Sequence, residues 1–304
     1  MRSSGSREMK RVNIDEIQDI VKARQEQYKV CRRGALIMVG LLIAGIVFLL
    51  MHHYCFTYIA LAVAVLFHLC FLRKNQKEYV HAMNESNILL TVGRWIGAEK
   101  VKRKEDKESA ANIVEKAQLI PVDEKTHSVS FFNSIQGDYR DMKIAVSDAV
   151  VMEPYAFGRN NKKRYVDNCG CWTHIELKEE TSYDFRLFEE NALPAMIQQP
   201  FYDDPKQHNL QKRTAMSVGL SADCYFYTAT DFIPGDKFFL RFQDLKRYTP
   251  GSVAISVRGK TIDVYIRNRV LARAVSMREQ PTQESLCFDP YPELKWILEL
   301  ADYL

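Results

Sequence analysis

The sequence predicts an α+β protein: an N-terminal transmembrane helical hairpin followed by a cytoplasmic domain of mixed helices and strands. Three observations carry this reading. Residues 34–72 contain no Asp, Glu, Lys or Arg. Beyond about residue 113 the apolar pattern shifts toward a period of two, the mark of strands with one buried face. Within that region Val253, Ile255 and Val257, then Ile262, Val264 and Ile266, alternate around Arg258-Gly259-Lys260, the pattern of a β-hairpin.

The chain has 304 residues, 47% hydrophobic and 26% charged. These values exclude disordered, collagenous and low-complexity classes. Its mean hydropathy is only −0.26, so the apolar run is balanced by a polar remainder and a many-span transporter is excluded. Net charge is +4, too slight to imply nucleic acid as a partner. Seven scattered cysteines, an odd number, do not make a secreted disulfide framework and fit reduced thiols in a cytosolic compartment.

One helix through residues 34–72 would be roughly 58 Å long at about 1.5 Å per residue. A bilayer core is only about 30 Å thick. The run must therefore fold back, giving spans at about 34–51 and 54–72. The polar Met51-His52-His53-Tyr54 stretch is the natural bend, although it has neither Gly nor Pro. A signal peptide would start earlier and end in a small-x-small cleavage site. Lys29, Arg32 and Arg33 precede the first span, Arg73, Lys74 and Lys77 follow the second, and the bend carries no Lys or Arg. Basic flanks stay inside, so both termini face the cytoplasm of a multi-pass protein in the inner (cell) membrane. Gly40-x-x-x-Ala44 and Ala60-x-x-x-Ala64 offer small faces for close helix packing. His68 is the ionisable residue inside a span, close to its cytoplasmic end.

Residues 1–33 form a cytoplasmic N-terminal helix, capped at Asn13, with Ile14, Ile17, Ile20 and Val21 at helical spacing. Residues 73–112 read as a helical stalk or linker, with Tyr79, Met83, Ile88 and Leu89 apolar and Lys100–Lys107 as a solvated helix face. Residues 113–304 are the α+β domain. Its strands begin at Ser128–Phe131 and continue through 143–151, Tyr165-Val166, 172–177 and Tyr225–Tyr227. Gly158–Arg164 is a basic hairpin tip, Lys237–Arg247 a helix, and Leu294–Leu304 a closing amphipathic helix.

Chemistry-bearing motifs are scarce. There is no glycine-rich phosphate loop, no H-E-x-x-H and no G-x-S-x-G elbow. One constellation stands out: Cys169, Cys171 and His174 lie within six residues, and thiolate and imidazole are the ligands zinc prefers. Cys224 or His208 would supply a fourth ligand. The single intervening residue between the cysteines is short for structural zinc, and strand alternation turns Cys171 away from His174. Zinc is thus the one candidate ion, and no cofactor or catalytic residue is otherwise expected. His127, His174 and His208 are isolated along the chain.

Phe131-Phe132-Asn133-Ser134-Ile135-Gln136-Gly137-Asp138-Tyr139, then Lys143–Ser147 with Asp148, resembles a strand, turn and strand that ends at an acidic position. Gly170-Cys171-Trp172 resembles a central F-x-G strand, and Cys224–Asp231 (CYFYTATD) an F-x-V-Y-x-T-D segment. In order and in these words the chain resembles a bacterial two-span membrane protein family catalogued as domain of unknown function 3137. The resemblance covers roughly residues 10–304 and implies the anchored α+β plan. It implies no reaction. The first functional reading is therefore a membrane-anchored binding or scaffold module, partnered by the lipid bilayer and by a protein or a second copy of itself. A membrane-proximal enzyme or sensor using the Cys/His cluster is the second. An oligomeric two-span pore gated by its cytoplasmic domain is the third.

Overall fold

The computed structural model describes residues 14–119, 128–157, 163–192, 210–214, 219–278 and 280–304. Asn13, His127, His208 and residues 158–162 of the basic connection lie outside the described residues. Two compact units form. One comprises the chain up to Thr91 together with Arg273–Phe288, the other Val92–Ala272 together with Asp289–Leu304. The expected boundary at 113 thus falls at 92, and a late segment joins the N-terminal helices.

In the first unit α1 (Ile14–Leu50) is one unbroken helix of 37 residues, about 55 Å long. The chain then reverses. His53 N–H donates to Phe48 O at 2.9 Å and His52 N–H to Leu49 O at 3.0 Å, the paired bonds that close a helix when the next residue turns left-handed. His52 takes that position, at φ 59°, where glycine is usual. Helix α2 (Tyr54–Phe67) returns, passes through a π-helical turn (His68–Leu72), and continues as α3 (Arg73–Leu90). His68 opens that turn, and its Nδ1 is buried with no hydrogen-bond partner among the described residues.

Small residues let α1 and α2 approach. Gly45 sits against Ala60 and Leu61, and Ala60 and Ala64 are both buried. Gly34 similarly receives Leu72 and Phe71. Gly40 meets no atom within 4 Å, so the Gly40/Ala44 face is not the one this hairpin uses. Both arms are long and apolar enough to cross a membrane.

Beyond the apolar stretches, Ile17, Tyr28 and Cys31 of α1 pack with Tyr79, Met83 and Leu90 of α3. Residues 273–288 form a strap that shares this core through Leu286. It ends in the short helix α7 (Gln283–Cys287), closed by reciprocal Thr282 and Ser285 bonds. Two asparagines one turn apart on α3 latch the strap. Asn84 Nδ2 donates to Arg273 O at 3.2 Å while Arg273 N–H returns a bond to Asn84 Oδ1 at 2.9 Å. Asn87 Nδ2 donates to Leu286 O (2.8 Å) and Phe288 O (2.7 Å). From α1, Gln25 and Tyr28 donate to the carbonyls of Pro281 and Arg278.

The second unit is built on an antiparallel sheet. After α4 (Val92–Ile96) come β1 (Val101–Lys104), α5 (Lys107–Ala117), β2 (Ser128–Tyr139), β3 (Met142–Phe157), β4 (Lys163–Glu176), β5 (Asp184–Glu189) and β6 (Gln211–Arg213). Then follow β7 (Cys224–Thr228), α6 (Asp236–Tyr248), β8 (Val253–Arg258), β9 (Thr261–Arg267) and, after the strap, α8 (Leu294–Ala301). Among the described residues nine strands form the sheet, in the order β1-β2-β3-β4-β9-β8-β5-β7-β6. Helix α5 covers one face, where Ala110, Val114 and Ala117 meet Ala149, Trp172 and Tyr265. Helix α6 covers the other, with Phe238 packed edge-on against Phe185 at 5.4 Å.

Two stretches depart from the sequence reading. Residues 101–104 are an edge strand rather than a helix face. An edge strand leaves one side in water and tolerates the charges of KVKRK, while Val101 registers with Ile135. Residues 107–117 are a helix, since Ala110, Val114 and Ala117 repeat at helical spacing and Gln118 ends it in the left-handed conformation. The period of two begins at Ser128.

Close approach governs one position in β4. A Cβ on Gly170 would overlap the Tyr265 ring. Gly170→Ala is therefore expected to destabilise the sheet unit by roughly 1–3 kcal/mol, read as a lower thermal midpoint. His52→Gly should instead stabilise the reversal by about 1 kcal/mol, because it removes the left-handed Cβ penalty.

Candidate functional site: a buried Asp–His pair on the sheet

Strand β4 carries all three predicted ligands, and its alternation separates them. Trp172 and His174 face the α5 side, while Cys169, Cys171 and Thr173 face the opposite side. The three are not brought together. Among the described residues no group of three or more His, Cys, Asp or Glu side chains is placed to hold a metal ion. Cys171 is fully buried, and burial, reinforced by the nearby Asp148 charge, pushes its thiol pKa well up. A thiol held protonated is a poor ligand and a poor nucleophile. Cys224 is also buried and pushed up by burial, with Lys246 Nζ 3.8 Å away.

His174 instead meets a residue that the sequence reading passed over. Its register partner on β9 is Asp263, and His174 Nδ1 lies 2.7 Å from Asp263 Oδ1. Trp172 Nε1–H donates to the same oxygen at 2.9 Å. The carboxylate is fully buried, and its Oδ2 has no partner among the described residues. A carboxylate only accepts, so Nδ1 is the protonated nitrogen and Nε2 is left as acceptor, or as a second donor in the cation. Burial pulls the imidazole pKa down, but the hydrogen bond and charge of Asp263, with help from Glu176, outweigh it and the net direction is up.

His174 borders an open hollow of about 480 Å³ on the sheet, with Asp263 buried behind it. Gln136 and Asp138 of β2, Lys143 of β3 and Glu176 of β4 line the rest of it. Lys143 and Glu176 are 3.7 Å apart, an exposed pair of little energetic weight. The hollow can therefore bind and release a proton at His174 and hold a polar group. Its lining includes no hydroxyl or thiol side chain that an oriented imidazole could activate.

On the opposite face Asp148 is also buried. It accepts from Asn133 Nδ2 at 2.7 Å, from Leu271 N–H and from Ala272 N–H at 3.2 Å. Asn133 reaches it because a bulge in β2 sets that residue at φ 50°. These bonds fix the backbone just after β9. Arg186 is a third buried charge: it bonds Asp184 at 2.7 Å and Gln118 Oε1 at 3.0 Å, tying β5 to the end of α5.

A folded-state His pKa above its unfolded value adds stability that is complete below the unfolded pKa and is lost as pH rises through the folded one. The direction is up for His174, so its contribution fades on the alkaline side of ordinary imidazole titration. His174→Gln should cost about 1–3 kcal/mol at about pH 5.5 and distinctly less at about pH 8.5. Denaturant unfolding at the two pH values checks this. An equal loss at both contradicts a charge-assisted pair.

The chain matches no known family model and no curated protein. Among solved structures it is similar to the mycobacterial trehalose monomycolate transport factor A, at 10% sequence identity and a TM-score of 0.34, over 73% of this chain and 96% of that one. A likeness this weak carries no argument about fold or activity.

Proposed function

We propose that this chain is a membrane-anchored binding or scaffold module, with its two apolar helices in the cell membrane and its sheet unit on the cytoplasmic side. The supporting observation is where the apolar surface points. Only 11% of the most apolar window of the first helix and 17% of that of the second is buried by protein. Leu36, Ile43, Ile46, Val65 and Leu66 all point outward. A soluble core helix would bury such a face, whereas lipid covers it without help from other protein. The basic residues at both ends of the stretch, with none at the reversal, favour cytoplasmic termini. A binding role fits a unit whose oriented Asp263–His174 pair has no hydroxyl or thiol side chain among the described residues that line its hollow.

After an alkaline carbonate wash the full chain should remain in the membrane pellet. A reporter fused to Leu304 should be active only when it is of the cytoplasmic kind. Release into the supernatant, or activity of an exported reporter, would overturn the proposal.

A further inference from the structure

Strand β1 closes one end of the sheet, and among the described residues only β2 pairs with it. Glu105 N–H donates to Phe131 O at 3.0 Å, so the backbone at that position faces β2. Alternation along an extended strand then turns the N–H and C=O of Lys102 and Lys104 toward the open edge. That edge offers a partner two main-chain donors and two main-chain acceptors.

The same stretch is strongly basic. Lys100, Lys102, Arg103 and Lys104 put four positive charges in five residues, and the last three are exposed. Lys102 reaches Glu105 at 3.4 Å, and Lys104 lies 5.6 Å from the centre of the Phe132 ring. Such contacts of exposed ammonium groups are weak and leave them available. Lysines on an edge strand keep sheets from joining. Two copies of β1 side by side would oppose Lys or Arg with Lys or Arg, and β6 at the other end of the sheet is also basic, at Lys212 and Arg213. The edge is therefore closed to a second copy and open to a strand of opposite charge. Successive side chains of β1 project to opposite faces of the sheet, so its cations form no single flat patch. A strand in the plane of the sheet can oppose them on both faces, whereas a bilayer surface cannot.

We propose that β1 docks an extended acidic segment of a partner protein as an added strand. Main-chain hydrogen bonds to Lys102 and Lys104 hold the segment in place, and its carboxylates lie opposite the cations of β1. The proposal deepens the scaffold reading by naming a class of partner; it rests on that reading for the binding role and not for the anchor.

The test is titration of the full chain, in a neutral detergent, with the peptide acetyl-Thr-Glu-Val-Glu-Val-Glu-Thr-amide and with its analogue carrying Lys in place of each Glu. The acidic peptide should saturate and bind at least about tenfold more tightly than the basic one. Hydrogen exchange resolved at single amides should then slow about tenfold at Lys102 and Lys104 when nine-tenths of the chain is occupied, and stay unchanged at Lys212 on the other edge. The double variant Lys102→Glu, Lys104→Glu should bind the acidic peptide at least about tenfold more weakly. No saturation by the acidic peptide, equal affinity for the two peptides, or binding without slowed exchange at Lys102 and Lys104 overturns the proposal. The last of these is the result expected of charge attraction alone. Both peptide comparison and exchange use the unaltered chain, so they stand even if the double variant fails to fold. Carbonate extraction of the same preparation reports on the anchor alone, which separates failure of the docking edge from failure of the membrane reading.

Discussion

The apolar surface of residues 34–72, which this protein does not cover with its own atoms, constrains the remainder of the first unit. The chain reverses at residues 51–54, and the reversal sets two helices side by side. Close packing then calls for the small side chains of Gly34, Gly45, Ala60 and Ala64 where the helices touch. Large side chains such as Leu36, Ile43 and Leu66 go to the outside. Small-in and large-out is opposite to a helix pair that folds by burying leucine from water. It is the arrangement expected when the surroundings are as apolar as the side chains.

Where the charges resume, the same two helices change partner. Tyr28, Cys31, Tyr79 and Met83 form an ordinary core, and a strap from late in the chain completes it. Amide groups rather than charges hold the strap, through pairs of backbone bonds at its two ends. Asn84, which uses both ends of its amide, specifies register, because a one-residue slip would leave both its donor and its acceptor unmet. In the sheet unit buried Asp148, Asp263 and Arg186 do similar work. Each joins elements far apart in sequence through directional bonds that apolar packing cannot supply.

The plan of the fold was legible where one physical signal dominated. The charge-free run gave the hairpin, and alternation gave β8, β9 and the turn between them. The closing helix followed from its apolar face. Legibility failed where a residue's surroundings come from distant elements. Asp263 sits between Ile262 and Val264, and strict alternation assigns it to a wet face. Asp263 is fully buried nonetheless, because His174 and Trp172 of the neighbouring strand bond to it and cover it. Cys169, Cys171 and His174 look clustered in sequence because spacing along a strand hides the reversal of side chains at each step. Asn84 and Asn87 gave no local signal, since their partners lie about 190 residues away or more. Nothing in β1 marked it as a strand except the alternation of Val101 with its neighbours, masked by the lysines.

The most direct measurement is photolabelling of the purified, reconstituted chain with a lipid carrying a photoreactive group at the end of its acyl chain, followed by mapping of the modified residues. The account predicts modification confined to outward positions between residues 34 and 72, with Leu36, Ile43, Ile46, Val65 and Leu66 labelled and Gly45, Ala60 and Ala64 spared. Absence of label from this stretch, or label concentrated on the sheet unit, would contradict it.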